Sequence, residues 1–255
     1  MDHKGLPLEK SAIEHFVSKR AGTAINRFGM IKDGDKILVG VSGGKDSLTL
    51  LKVLKERQRW VPVKYAIKAI HVISDYEKDP GEKKMKLTSF FEEIGCDHVF
   101  KEVAISGKRN KRGREDCFWC AWNRRKAIFQ ACAEMGFGKV AFGHHKDDVV
   151  ETILMNMIYN GEISSMNPVQ PLFEGEVTLI RPLVLVEEKE IAKYAREAQL
   201  PVIRSTCPRS GDSRRALVKD IVSRLSREKQ DVKSNIVRAP SRVKGEYITD
   251  MTERA

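Results

Sequence analysis

Residues 40–47 of this chain read Gly-Val-Ser-Gly-Gly-Lys-Asp-Ser, a combination suited to binding phosphate. Adjacent glycines let the backbone turn tightly and aim N–H groups at an anion, and the start of a following helix adds partial positive charge. The lysine adds a full positive charge, the two serines add hydroxyl donors, and an aspartate beside phosphate suits a Mg²⁺ ion. The candidate residues are Ser42, Gly43, Gly44, Lys45, Asp46 and Ser47.

This loop is not a Walker A loop, which would need a glycine where Val39 stands and a serine or threonine where Asp46 stands. A plain glycine turn with a helix-capping serine or aspartate is the alternative interpretation. The loop lies directly between a strand pattern and a helix pattern, and that position favours the phosphate site.

A second polar stretch, residues 143–152 (GHHKDDVVET), also lies between an apolar run and a helical pattern. Two histidines and two carboxylates at this point predict a nucleotide or metal site, and we expect His144 rather than His145 to face the nucleotide. Helix capping by one of the two aspartates is the plainer alternative. The candidate residues are Gly143, His144, Asp147 and Asp148.

Three of the five cysteines are spaced for chemistry. Cys117 and Cys120 form a C-x-x-C pair in basic surroundings that favour thiolate, and Cys207 follows about ninety residues later. The pair can hold a metal, form a redox disulfide, or do neither. A structural zinc would need a fourth ligand from Cys96, Cys132 or a histidine. Three cysteines suit an iron–sulfur cluster with one open iron, where a sulfide could bind.

Short apolar runs alternate with helical patterns along most of the chain. Strand patterns cover residues 36–41, 66–73, 98–105, 139–142 and 177–180, and helical patterns cover residues 11–30, 48–54, 85–94, 124–135, 147–159, 187–199 and 213–228. This alternation predicts an α/β fold with a doubly wound parallel sheet. Ligands of such sheets bind at the carboxyl ends of the strands, which is where both polar stretches fall.

The patterns also predict how the chain is organised into domains. We expect an N-terminal helical extension (1–30), a nucleotide-binding domain with a cysteine insertion (31–205), and a C-terminal basic helix with a flexible tail (206–255). The apolar pattern fades beyond Lys233, which predicts that the tail is poorly ordered.

The charge of the chain indicates which class of partner to expect. The net charge of +11 is concentrated in residues 101–126, with nine basic against three acidic side chains, and in residues 204–244, with twelve against four. Such blocks favour a polyanion such as nucleic acid, although they are often only solvated surface. No apolar run approaches the ~18 residues of a membrane span. The first twenty residues show no secretory signal, so we expect a cytoplasmic protein without a membrane partner.

The loop sequence S-G-G-K-D-S resembles the PP-loop family of ATP pyrophosphatases, which have a Rossmann-like fold, cleave ATP to AMP and pyrophosphate, and adenylate an oxygen of a second substrate. The sequence G-H-H-x-D-D-x-x-x-T, ending at Thr152, resembles the second ATP-site motif of PP-loop tRNA thiolases. By the same resemblance, Asp75 lies where the family contacts adenosine, and Arg181-Pro182-Leu183 matches a further family signature.

The C-x-x-C pair followed by Arg124 and Arg125 is similar to the tRNA 2-thiocytidine synthetase family (TtcA), and the similarity runs from about residue 20 to 227. It implies that Cys117, Cys120 and Cys207 bind a [4Fe–4S] cluster. The segment around Cys207 (STCPRSG) keeps one of the two cysteines that this family carries there. The family also implies a homodimer.

The hypothesis that follows is ATP-dependent thiolation of tRNA, at C2 of cytidine 32 by resemblance. The pyrimidine oxygen attacks the α-phosphate, Lys45 and Mg²⁺ on Asp46 stabilise the departing charge, and sulfur then displaces AMP. Cys117 and Cys207 act in the sulfur transfer, with sulfur from a cysteine desulfurase or free sulfide. The basic blocks hold the tRNA, and Phe118 and Trp119 are candidates to stack on the base.

Three alternatives remain at this point. The same cysteines can act without iron, one carrying a persulfide that another resolves, on a different cytidine or uridine of tRNA. A PP-loop enzyme can also amidate another substrate, as in lysidine-type amination, but that leaves the cysteines without a role. A non-catalytic nucleic-acid-binding module leaves both the loop and the cysteines unexplained.

Overall fold

The computed structural model describes residues 11–77, 79–106, 117–203 and 214–247. They fall into two compact units. The first lies within residues 1–146 and 167–211, and the second within residues 147–166 and 212–255. The boundaries predicted at residues 30 and 205 stay predictions.

The first unit is built on a six-stranded sheet. Its strands are β1 Asp35–Gly40, β2 Tyr65–Ser74, β3 Asp97–Val103, β4 Lys139–Ala141, β5 Val169–Leu172 and β6 Val177–Ile180. Their order is β3-β2-β1-β4-β6-β5, and every neighbouring pair is parallel except β5 with β6. The predicted α/β fold is therefore confirmed.

The sequence did not predict β5, which is antiparallel and lies at the edge of the sheet. It is four residues long and contains Pro171, which has no N–H to donate to a neighbouring strand. Within sheets, proline is confined to edge strands, first residues of strands and bulges, so this short stretch gives no strand signal in the sequence.

Eight α-helices accompany the sheet in the described residues. They are α1 Ala12–Arg27, α2 Lys45–Arg57, α3 Pro80–Glu93, α4 Cys117–Glu134, α5 Lys146–Asn160, α6 Glu188–Glu197, α7 Arg214–Glu228 and α8 Val232–Arg238. The predicted helical patterns coincide with α1 to α7 to within a few residues at most ends. The predictions for α2, α3 and α4 each began too late, because the first turns of these helices carry few apolar residues at helical spacing.

The central strands are buried on both faces, as parallel strands covered by helices must be. Leu38 of β1 and Val140 of β4 are fully buried in a cluster that includes Ile128 of α4 and Phe142 just after β4. This packing holds the ends of β1 and β4 side by side. The two polar stretches follow directly after those ends.

α1 has its own N-terminal cap and is held to α2 at its middle. Ser11 and Glu14 form a reciprocal capping box that begins the helix. Further along, the buried Arg57 guanidinium at the end of α2 donates to the Ser18 carbonyl oxygen (3.2 Å) and lies over the Trp60 ring. The end of α2 and the middle of α1 are therefore fixed to each other.

The second unit has a small core of its own. Val150 of α5 packs with Val218 and Val222 of α7 and with partly buried residues of α8. Lys233 of α8 pairs with Asp147 at the start of α5 (2.5 Å). The prediction of a poorly ordered tail beyond Lys233 is therefore wrong for the stretch up to residue 247. A seven-residue helix followed by short 3-10 turns is too brief to show an apolar period.

None of the helices in the described ranges is long and apolar enough to span a membrane.

Replacing Gly40 by alanine should overpack the core at the end of β1. A Cβ there would lie 2.6 Å from the Phe142 ring, whereas a Cβ at the exposed Gly138 meets nothing within 4 Å. We expect Gly40→Ala to lower the free energy of unfolding by roughly 1–3 kcal/mol and Gly138→Ala to leave it nearly unchanged, as measured by urea denaturation. Equal stability of the two variants would contradict this packing.

Candidate active site at the carboxyl edge of the sheet

The phosphate loop connects β1 to α2 and is shaped by its own serines. The Ser42 N–H donates to Ser47 Oγ (3.1 Å), the Gly44 N–H donates to Ser42 Oγ (3.2 Å), and the Ser47 hydroxyl donates to the Gly44 carbonyl (3.0 Å). Gly43 has a φ of +89°, which side chains rarely adopt. The predicted hydroxyl donors therefore hold the loop in a turn that only glycine permits.

Two further contacts fix the loop from outside. The buried His71 of β2 donates from Nδ1 to the Val41 carbonyl oxygen (2.6 Å), because a carbonyl can only accept. The Ile203 N–H donates to the Gly43 carbonyl (2.9 Å), so the chain after α6 meets the loop. Sequence analysis missed both contacts, since neither partner is near the loop in sequence.

The second polar stretch lies against the phosphate loop. A Cβ at Gly143 would lie 2.8 Å from the carbonyl carbon of Asp46, 2.9 Å from its oxygen and 3.0 Å from the Ser47 nitrogen. These are backbone atoms and cannot easily move aside. Glycine at 143 is therefore required for the start of α2 to approach β4 this closely.

The charged residues of the loop are already paired within the protein. Lys45 Nζ lies 3.1 Å from both Asp46 Oδ1 and Glu188 Oε1. Burial lowers the pKa of Lys45, but the two carboxylates outweigh burial and the net shift is upward. Lys45 is consequently held as a cation, which suits it to bind phosphate.

Asp46, predicted to hold Mg²⁺, has one buried carboxylate oxygen. Its Oδ1 is buried and accepts no hydrogen bond from the described residues, although Lys45 Nζ and His145 Nε2 (3.7 Å) lie near it. A buried carboxylate oxygen in that state can serve a divalent cation. His145 is the histidine beside Asp46. His144 lies half-buried with its ring edge-on to Phe142, and its predicted contact with nucleotide stays a prediction.

Asp75, predicted to contact adenosine, has a local structural role. Its carboxylate accepts from the backbone N–H groups of Ile105 and Ser106 (2.9 and 3.0 Å) and from the Ser106 hydroxyl. Slight burial raises the pKa of Asp75, but these hydrogen bonds lower it more. The carboxylate thus secures the turn after β3, and its contact with adenosine remains a prediction.

A buried carboxylate that the sequence did not reveal lies at the end of β2. Glu77 lies 3.3 Å from Lys83 Nζ, 3.2 Å from an Arg124 nitrogen and 3.8 Å from His71 Nε2. Burial raises the pKa of Glu77, but the nearby His71, Lys83 and Arg124 outweigh it and lower the pKa to about 2. Glu77 therefore joins α3, α4 and the strand that supports the loop.

The first turn of α4 carries the C-x-x-C pair to the same edge of the sheet. Arg124, one turn after Cys120, donates to Ser74 Oγ at the end of β2 (2.7 Å). Cys117 and Cys120 are three residues apart in the sequence of this turn. Cys120 is half-buried, while the Cys117 side chain and Cys207 lie outside the described residues.

The other two cysteines, Cys96 and Cys132, lie in the core of the first unit. Cys96 and Cys132 are buried, and burial raises the pKa of each thiol to about 11. Neither thiol is disposed to react. Within the described ranges, no group of three or more His, Cys, Asp or Glu side chains is arranged to hold a metal.

The two aspartates at the start of α5 form ion pairs within the second unit. Asp147 pairs with Lys233 (2.5 Å), and Asp148 lies 3.8 Å from Arg215. Their predicted part in nucleotide binding stays a prediction. Trp119, predicted to stack on a base, stacks on Trp122 with ring centroids 5.2 Å apart, and the Phe118 side chain lies outside the described residues.

Known proteins match this chain over most of its length. The PP-loop domain family matches residues 13–224. The chain is 38% identical to a tRNA-cytidine(32) 2-sulfurtransferase of Geobacter sulfurreducens, covering 92% of each chain. It is 34% identical to one of Syntrophotalea carbinolica, covering 96% of this chain and 95% of the relative.

One similar solved structure is the U34-tRNA thiolase NcsA from Methanococcus maripaludis with its [4Fe–4S] cluster. The match has a TM-score of 0.76 and 27% sequence identity, and it covers 97% of this chain and 84% of that chain. An NMN synthetase from Francisella tularensis shares the fold. It is 9% identical, with a TM-score of 0.54, and the match covers 95% of this chain and 100% of that chain.

Adding one methyl group at Gly143 should weaken the binding of ATP to the phosphate loop. In Gly143→Ala the new Cβ would clash with the backbone of Asp46 and Ser47. We expect ATP to bind roughly tenfold more weakly or worse, because about 1.4 kcal/mol of strain lowers the affinity by that factor. Gly81→Ala, whose Cβ meets nothing within 4 Å, should bind ATP normally. Calorimetric titration of both variants checks this, and unchanged affinity in Gly143→Ala would disprove the close approach.

Glu77 should make stability depend on acid pH. Its folded pKa of about 2 lies below the ordinary value of 4.5, so its contribution is complete above about pH 4.5 and is lost as pH falls toward 2. Glu77→Gln should cost about 3 kcal/mol of unfolding free energy at pH 7, and this cost should shrink across that window.

Urea denaturation of wild type and variant at several pH values measures the effect of Glu77. Glu93→Gln, on an exposed position of α3, serves as the matched control and should change little at any pH. A cost of Glu77→Gln that stays the same from pH 7 to pH 3 would show that the carboxylate is not held by its cations.

Proposed function

The chain belongs to the family of tRNA-cytidine(32) 2-sulfurtransferases within the PP-loop proteins, and we propose on that basis that it replaces the C2 oxygen of cytidine 32 in tRNA with sulfur, using ATP. One observation carries the proposal: the phosphate loop and the cysteine-bearing turn of α4 lie at the same edge of one sheet. The loop follows β1, and Arg124 anchors α4 to the end of the adjacent β2.

The first half of the reaction is activation of the oxygen. Oxygen O2 of the base attacks the α-phosphorus of ATP, and the bond to pyrophosphate breaks. The loop N–H groups and Lys45 would bind the phosphates and stabilise the charge that develops on the departing pyrophosphate. Asp46 would hold Mg²⁺ through its buried Oδ1, with Lys45 turning from this oxygen to the phosphates.

The second half is replacement of the activated oxygen. A sulfur nucleophile forms a bond to C2, and the C2–O bond breaks so that AMP leaves with the former base oxygen. Cys117, Cys120 and Cys207 would hold a [4Fe–4S] cluster, which when bound supplies an iron with an open position for sulfide. Cys207 is four residues after Ile203, which is hydrogen-bonded to the phosphate loop.

The remaining parts of the proposal concern partners. The tRNA backbone would lie on the basic surfaces, which in the described residues include Arg124, Arg125 and the arginines of α7. We further propose a cysteine desulfurase or free sulfide as the sulfur source, a homodimer as the assembly, and the cytoplasm as the location.

Substitution of the cysteines tests the proposal in cells. In a strain lacking this protein, Cys120→Ala and Cys207→Ala should fail to restore 2-thiocytidine to tRNA, because each removes a cluster ligand, yet both purified variants should bind ATP. Cys96→Ala, which alters a buried cysteine, should restore it. Mass spectrometry of tRNA nucleosides reads out the result.

Iron analysis separates the cluster mechanism from its persulfide alternative. Anaerobically purified protein should contain close to four iron atoms per chain and lose them in Cys207→Ala. Full 2-thiocytidine formation by iron-free protein would favour a persulfide instead. Restoration of 2-thiocytidine by Cys207→Ala would remove that residue from the chemistry altogether.

A further inference from the structure

A second lysine lies beside the phosphate loop. Lys83, near the start of α3, has its Cε 3.3 Å from the position that a Cβ on Gly43 would occupy. Its side chain is only 18% exposed. An aliphatic stem packed over the loop glycine places the ammonium close to any anion that the loop holds. Neither of the polar sequence motifs contains this residue.

The buried charges around Lys83 are unequal in the described structure. Glu77 is one carboxylate, and it lies within 3.3 Å of two cations, Lys83 and Arg124. Burial and the nearby Arg124 lower the pKa of Lys83, while Glu77 offsets part of the shift. A further anion in the loop would bring these charges closer to balance.

We propose that Lys83 is a positioning residue for the β- and γ-phosphates of ATP, and that its ammonium turns from Glu77 to these phosphates when the loop is filled. The inference rests on the proposed function of the loop as an ATP site. The lysine stem is flexible, and rotation about its terminal bonds suffices because Cε already lies at the loop.

If Lys83 exchanges Glu77 for the phosphates, neither Lys83 nor Glu77 is left without a partner. When Lys83 moves away, Glu77 keeps Arg124 at 3.2 Å and His71 at 3.8 Å. The cost of separating Lys83 from Glu77 is thereby reduced, and the phosphates gain a donor that is already beside them. Negative charge increases on pyrophosphate as it departs, so this donor would act where charge develops.

Comparison of three ligands tests the proposal in the full-length protein. We expect Lys83→Met to weaken binding of ATP and of inorganic pyrophosphate roughly 10- to 100-fold, the range for a hydrogen bond to a charged group. AMP, which lacks the β- and γ-phosphates, should bind within about twofold of wild type. Lys83→Arg should retain most of the affinity for ATP.

Lys84→Met is the matched control. Lys84 is the next residue on α3, is exposed, and lies over the Phe100 ring with its Nζ 5.3 Å from the ring centroid. It does not face the loop, so its loss should change none of the three affinities. Isothermal titration calorimetry measures all of them, and urea denaturation checks that each variant is folded.

Two results would overturn the role of Lys83 while leaving the ATP site intact. One is wild-type affinity for ATP and pyrophosphate in Lys83→Met. The other is equal weakening of AMP and ATP, which would mean that Lys83 only maintains the fold through Glu77. A wild-type protein that binds neither ATP nor pyrophosphate would instead overturn the proposed ATP site, and the role of Lys83 with it.

Discussion

The close approach of two backbones is the constraint on which the site depends. Gly143 lies so near Asp46 and Ser47 that no side chain fits between them. This contact sets the distance between the end of β4 and the start of α2, and it places His145 beside Asp46. Packing of β1 and β4 beneath supports the contact. The two polar stretches therefore behave as one structural feature, although about one hundred residues separate them.

Charges at this edge are paired before any substrate arrives. Lys45 lies between two carboxylates, and Glu77 lies between two cations. Buried charges without partners would be costly, so such pairing stabilises the fold around the loop. In the proposed function, phosphate binding would exchange one set of ionic partners for another and would not create a new set. Geometry fixed in advance in this way reduces the reorganisation that the reaction requires.

The sequence predicted the sheet and the phosphate loop because both leave strong local signals. Buried strands read as apolar runs, and adjacent glycines before a lysine have few other uses. Glu77, Lys83 and Glu188 left no such signal, since a charged residue on a helix or turn usually faces solvent. Their roles arise from contacts with residues distant in sequence, as in Lys45 with Glu188, 143 residues apart. β5 and α8 were missed because each is too short to show a period.

The hydrogen bond from the Ile203 N–H to the Gly43 carbonyl ties the phosphate loop to the chain that leads to Cys207. Because both groups belong to the backbone, the bond does not depend on which side chain stands at 203. Any residue except proline, which has no N–H, can make this bond. The phosphate loop can thus stay attached to the chain at residue 203 whatever side chain that position carries.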